Sequence, residues 1–182
     1  MVGYDNLPTQ ELKSFQQNFS KTSYSKVLEL KKYLTSNNFQ EVINYSFVDD
    51  GLQNELELSK GLIKIQNPIT ENLNSMRTSL FPGLITNLIS NAKRGNDYLK
   101  IFEEGKVFSR NKTIKEANQL AGLIFDQEKK GWNRSDSFDF YALKELVLNL
   151  AKFSNITDVA LKKSDSNLLH PKISCLLYTS PS

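Results

Sequence analysis

Residues 67–95, NPITENLNSMRTSLFPGLITNLISNAKRG from Asn67 to Gly95, decide how this chain is read. Asn67-Pro68 breaks any preceding strand, because a residue before proline is driven out of the helical region. Ser79 is placed to cap a helix, and Pro82 falls in the first turn, where its missing N–H costs little. Leu84, Ile85, Leu88, Ile89 and Ala92 recur at helical spacing and predict one apolar face. Lys93 and Arg94 suit the negative end of the helix dipole, and Gly95 supplies a left-handed stop. The stretch therefore predicts a polar loop followed by a buried helix with defined ends.

Working outward, the N-terminal side carries a second helix. Thr22 or Ser23 can cap it; Tyr24, Val27, Leu28 and Leu34 share a face with Leu30 at its margin, and Asn37-Asn38 end it. Phe39 to Val48 follows as a strand, rich in β-forming types. Asp49-Asp50-Gly51 pairs two carboxylates without further ligand types, which predicts a cap or turn rather than a metal site. Leu62 to Gln66 alternates and predicts a strand leading into Asn67. On the C-terminal side, Tyr98 to Ser109 predicts two strands, or one strand bent at Gly105. Gln119 to Asp126 predicts a strand in the middle of a sheet. Lys129 to Asp136 reads as a polar loop carrying Trp132, and Phe138 to Phe153 as a helix capped by Asp136 or Ser137. Val159 to Lys162 reads as a short strand.

Composition sets the bounds. The 182 residues suffice for one domain with a real core, and 39% of them are apolar, with eleven Phe and seven Tyr. A net charge of +3 does not by itself argue for nucleic-acid binding. Cys175 is the one cysteine, so no internal disulfide or cysteine metal site can form, and a reducing, cytoplasmic setting is expected. No apolar run is long enough to span a bilayer, and no membrane partner is expected. No Gly-rich phosphate loop, HExxH or CxxC pattern occurs. His170 is the only histidine. A general base needs an oriented partner, and none is visible near it, so it reads as structural.

Four stretches, in order, resemble one family: GYDNLP at 3–8, FQEVINYSFV at 39–48, NPITENLNSMRTSLFPGLI at 67–85 and LKIFEEGKVF at 99–108. DFYALKELVLNLA in the last predicted helix looks similar too. The family is the bacterial phenylalanyl-tRNA synthetase beta subunit, and the resemblance is to its catalytic-like module. It implies an α+β fold like the core of a class II aminoacyl-tRNA synthetase: an antiparallel sheet flanked by helices, here truncated at both ends. It implies an exit loop and linker at 1–21 from an upstream domain, with Met1 not the natural start. The synthetase-like domain would occupy 22–174, and 175–182 would be an unassigned tail outside the fold. Near His170-Pro171 the family usually continues with glycine, where this chain has Lys172.

The resemblance also carries function. The full enzyme would be an α₂β₂ tetramer using ATP and Mg²⁺ to charge tRNA(Phe). This module would dock on the catalytic alpha subunit and support it. Editing would lie upstream and anticodon recognition downstream. In class II enzymes a helix and strand like the first two elements here form a subunit interface. Val27, Leu34, Tyr45, Phe47 and Arg77 are the candidate interface residues, against ordinary intrachain packing. Arg77 lies where related enzymes place an Arg-Thr segment beside the substrate; a carboxylate partner fixing the loop is the favoured expectation. Active relatives also carry an arginine directly after the aromatic of the second signature, where it steadies the ATP α-phosphate, with a glutamate two residues later. Here Ser109 follows Phe108, and Arg110 comes one position late. Strand side chains alternate faces, so that slip points Arg110 the other way. A third, glycine-rich signature is missing. No catalytic, cofactor-binding or metal-binding residue is expected within this chain. A freestanding class II paralogue with its own small-molecule site is the rival; it requires an intact phosphate clamp. A plain RNA-binding module would need a basic stripe with interleaved aromatics, and the charge is too evenly mixed.

Overall fold

The computed structural model describes residues 23–127, 140–153, 159–163 and 175–179. GYDNLP, the linker up to 21, Trp132, the caps at Asp136 and Ser137, and His170-Pro171 lie outside the described residues.

Helix α1 spans Ser23–Ser36. It ends as expected: Asn38 takes the left-handed conformation, with φ 65°, and the Phe39 amide returns to the Leu34 carbonyl. The predicted strand over Phe39 to Val48 is not continuous. It holds two short strands, β1 (Gln40–Glu41) and β2 (Phe47–Val48), in different sheets. The interruption is at Asn44, whose backbone and side chain both bond the buried Glu103 carboxylate. Helix α2 (Asp50–Glu55) follows, and Asp49 caps it by accepting the Gly51 amide at 2.9 Å, as the turn reading predicts. Strand β3 (Ile63–Lys64) lies within the expected Leu62–Gln66 run. A single 3₁₀ turn (Glu71–Leu73) and strand β4 (Ser75–Met76) lead into helix α3 (Phe81–Lys93).

The helix ends of α3 are nearly those expected. Leu80, not Ser79, occupies the cap position, in a helical conformation; the Ser79 hydroxyl still accepts the Phe81 amide at 3.3 Å. Pro82 is buried in the first turn, and Gly95 has φ +85°. Leu84 is fully buried, but Ile89 and Ala92 are exposed, so the apolar face is narrower than its spacing suggests.

Strands β5 (Tyr98–Arg110) and β6 (Ile114–Asp126) form one antiparallel hairpin, paired residue for residue along their whole length. β5 is therefore a single strand that does not end at Gly105. β1 adds to its other edge in parallel, giving the order β1-β5-β6, so β5 and not the Gln119–Asp126 segment is central in this sheet. The sheet is mixed where an antiparallel one was expected. A second sheet, β2-β4-β3, is antiparallel. Helix α4 covers Phe140–Phe153. Strands β7 (Val159–Lys163) and β8 (Cys175–Thr179) pair antiparallel. The tail set aside at 175–182 thus contains a strand.

The two faces of β5 make two cores. Leu99 and Ile101 face α3 and pack with Leu84, Leu88, Leu123 and Phe125. Phe102 faces the other way and packs with Leu34 of α1, Phe39 and Leu146 of α4. This alternation is the period-2 pattern of a strand buried on both sides. Lys31 ties α1 to both β1 and β5 through Glu41 and Glu104.

Candidate functional site

The segment 74–79 is fixed from below by polar side chains. Gln53 of α2 is fully buried; its amide donates to Ser75 Oγ at 2.9 Å and the Met76 carbonyl at 3.1 Å. Its carbonyl oxygen accepts both the amide and the hydroxyl of Thr78 at 2.9 Å. Asp50 and Asn74 bond reciprocally, and Lys64 with Asn74 holds the Asp50 carboxyl below its usual pKa. The Arg77 amide donates to Ser46, and the Phe108 amide donates to the Arg77 carbonyl. So the loop before α3 is stitched to β5 by its own backbone.

That stitching lays the Arg77 side chain across one face of β5. Its Nε donates to the Lys106 carbonyl at 2.8 Å, and Nη1 meets Glu103 Oε1 at 2.6 Å. Arg77 is only 5% exposed and Glu103 only 1%. The second Glu103 oxygen accepts from Asn44 Nδ2 at 2.7 Å, and Asn44 in turn accepts from Asn87 of α3. Gly105 lies beneath the guanidinium: a Cβ there would collide with Arg77 Nη2. The glycine marks a close approach, not a bend. Gly105→Ala is expected to cost about 1–3 kcal/mol as overpacking, because the guanidinium cannot move without breaking its buried pair. Urea denaturation checks it, and in an Arg77→Ala background the same change should cost almost nothing.

Chemically the network is closed. A guanidinium grips an anion through a free fork of N–H donors, and this one is engaged by the chain's own carbonyl and carboxylate. Ser109 lies on the same strand face as Glu103 and Gly105, and Arg110 on the opposite, exposed side. The residues on this face do not suit a nucleotide triphosphate. Among the described residues no group of three or more His, Cys, Asp or Glu could hold a metal ion.

The candidate interface residues separate. Leu34 and Arg77 are buried inside the chain, by the α4 core and by Glu103, and so present nothing to a partner. Val27 and Phe47 are half-buried and Tyr45 is 77% exposed. Tyr45 and Phe47 line an open groove of about 550 Å³ with Leu52, Leu73 and Pro82.

Residues 7–180 match the model of the family described as phenylalanyl tRNA synthetase beta chain CLM domain. The chain belongs to that family. The match begins inside the stretch read as linker and ends inside the stretch read as tail. The phenylalanine–tRNA ligase beta subunit of Legionella pneumophila (strain Paris) is 33% identical over 175 residues, covering 94% of this chain and 22% of that protein. That of Syntrophus aciditrophicus (strain SB) is 34% identical over 189 residues, covering 97% of this chain and 23% of that protein. The chain thus spans less than a quarter of the length of these beta subunits. A solved structure, pyrrolysyl-tRNA synthetase from Desulfitobacterium hafniense, superposes with a TM-score of 0.61 at 13% identity, over 80% of this chain and 51% of that one. At that identity the likeness concerns the fold: an α+β arrangement shared by this beta-chain family member and an aminoacyl-tRNA synthetase.

Proposed function

We propose that this chain is part of the beta subunit of a phenylalanine–tRNA ligase, and that it forms a class II synthetase-like module which performs no chemistry itself. It docks on the catalytic alpha subunit in a cytoplasmic α₂β₂ enzyme and supports that subunit while ATP and Mg²⁺ drive the charging of tRNA(Phe). The observation that carries this reading is the buried Arg77–Glu103 pair lying over Gly105, with Ser109 where the resemblance requires a phosphate-gripping arginine. The face that would hold a nucleotide is occupied by the chain's own side chain. Docking is assigned to the surface bearing Tyr45 and Phe47, with Val27 as a further contact; Leu34 and Arg77 drop out because they are buried.

The test is co-expression of the full-length beta chain with its alpha subunit, followed by size-exclusion and ATP–pyrophosphate exchange. The two chains should co-elute as a heterotetramer, and exchange should require the alpha chain. A beta chain that runs as a stable monomer and ignores the alpha subunit would refute the docking. Exchange by the beta chain alone would refute the absence of chemistry.

A further inference from the structure

The groove that Tyr45 and Phe47 line is walled on one side by helix α2. Asp49, Leu52 and Glu55 recur every third residue, so they share a helix face, and all three line the groove. Gln53 keeps that face turned toward it: its buried amide bonds Ser75, Met76 and Thr78 on another side of the helix. The start of α3, with Pro82 and Gly83, makes a second wall. Gly83 has no room for a side chain, since a Cβ there would stand 2.8 Å from Asn44 Nδ2. Asn44 is itself held by Glu103 and Asn87. Both walls are thus fixed by the chain's own bonds before any partner arrives.

Between the walls the lining is apolar, with Phe47, Leu52 and Leu73, and its charge is of one sign. Asp49 and Glu55 are the charged residues that line it; no lysine or arginine does. Among the described residues neither acid is in an ion pair, and Lys64, the lysine that bonds α2, is taken by Asp50 at 2.9 Å. Asp49 uses one carboxylate oxygen to cap α2, and its negative charge remains. Unneutralised carboxylates repel phosphates and attract cations. The groove therefore selects against nucleic acid and suits a protein segment that brings both apolar surface and positive charge.

We infer that this groove receives from the alpha subunit a segment in which an apolar anchor is bracketed by two lysine or arginine side chains. The anchor lies against Phe47, Leu52 and Leu73, and the cations meet Asp49 and Glu55. Tyr45, exposed at the edge, extends the apolar contact outward. The i to i+6 spacing of the two acids is about 9 Å along α2 at 1.5 Å per residue. The partner's cations stand about that far apart, a span of about two helical turns or about three extended residues. A wall that does not have to be ordered on binding costs the complex less, so a groove of two fixed walls is suited to this use. The inference rests on the proposed docking of the alpha subunit and adds the chemistry of the segment that docks.

The experiment uses the full-length beta chain carrying Asp49→Asn and Glu55→Gln together, assembled with its alpha subunit. Asparagine caps a helix as well as aspartate does, and Glu55 is exposed, so the urea midpoint of the variant should match wild type. Dissociation of alpha from beta on dilution is followed by analytical ultracentrifugation. At low salt the dissociation constant should rise about ten-fold, as two partly exposed ion pairs allow. At 1 M salt, where the Debye length is about 3 Å, the difference from wild type should fall below about two-fold. Glu55→Lys, which sets a cation against the partner's cation, should weaken the complex more than Glu55→Gln does. An unchanged dissociation constant in a wild type that does assemble would overturn this inference and leave the proposed function standing. A loss of equal size at both salts would also overturn it, because the carboxylates would then hold the chain's own structure and not a partner's cations. Separation of beta from beta, with each alpha–beta pair intact, would place a second copy of this chain in the groove and refute the alpha assignment. Failure of the wild-type chains to associate at all would refute the proposed docking itself, and this inference with it.

Discussion

Arg77→Ala is expected to destabilise the protein by about 3–5 kcal/mol, the usual cost of leaving one partner of a buried ion pair uncompensated. The effect comes from what remains. Glu103 would keep its carboxylate in a site with 1% exposure, held only by Asn44. The Lys106 carbonyl would also lose its Arg77 Nε donor, while the backbone bonds of residue 77 to Ser46 and Phe108 would stay. Urea denaturation of wild type and variant measures it. Replacing both groups by apolar ones, Arg77→Met with Glu103→Leu, should recover part of the loss: no charge is then buried alone, but the Asn44 donors and the Lys106 carbonyl lose their partners. A single variant costing under about 1 kcal/mol, as exposed pairs do, would mean that the guanidinium is not buried against Glu103.

Phe102→Ala should be comparably damaging, about 3–5 kcal/mol for a large side chain removed from a filled core. Phe102 is fully buried and is the residue through which the sheet meets α1 and α4, against Leu34, Phe39 and Leu146. Its carbonyl also accepts the Val42 amide, so the same residue joins β1 to β5. Phe102→Leu should cost under about 1.5 kcal/mol, because volume is largely kept. The same denaturation series separates the two. Equal losses for both substitutions would mean that shape and not buried volume decides this site.

The helices were readable because their signals are local. Pro82, Gly95 and Asn38 each fix a backbone conformation by their own chemistry, and α3 and α1 end where those residues require. The cap at Asp49 was readable for the same reason. The sheet was less so. The division of residues 39–48 between two sheets depends on Asn44 meeting Glu103, 59 residues away, and no local pattern encodes that meeting. The central place of β5 depends on which strand β1 joins, which is again a long-range choice.

At the site, Arg77 has the carboxylate partner expected for it, but local sequence patterns do not single out Glu103 as that partner or Gln53 as the buried support. Glu103 left a trace in the sequence. It shares the strand face of Leu99, Ile101 and Val107, all buried, with Gly105 beside it. An acid on an apolar face next to a glycine announces a buried partner with room made for it. Gln53 left none: a glutamine in a short polar helix reads as solvated, and its burial follows from the fold of the 74–79 loop above it. Leu34 and Arg77 read as interface residues because apolar spacing and an arginine in a loop do not distinguish a surface that meets a partner from a core that closes on itself.

Nucleotide stoichiometry on the proposed α₂β₂ tetramer tests most directly whether Arg77 fills the place a nucleotide would take. Equilibrium binding of ATP with Mg²⁺ should saturate at one nucleotide per alpha chain, with none on the beta chain, and Arg77→Ala should leave that count unchanged. A second nucleotide for each alpha–beta pair, lost when Arg77 or Arg110 is replaced, would contradict the account.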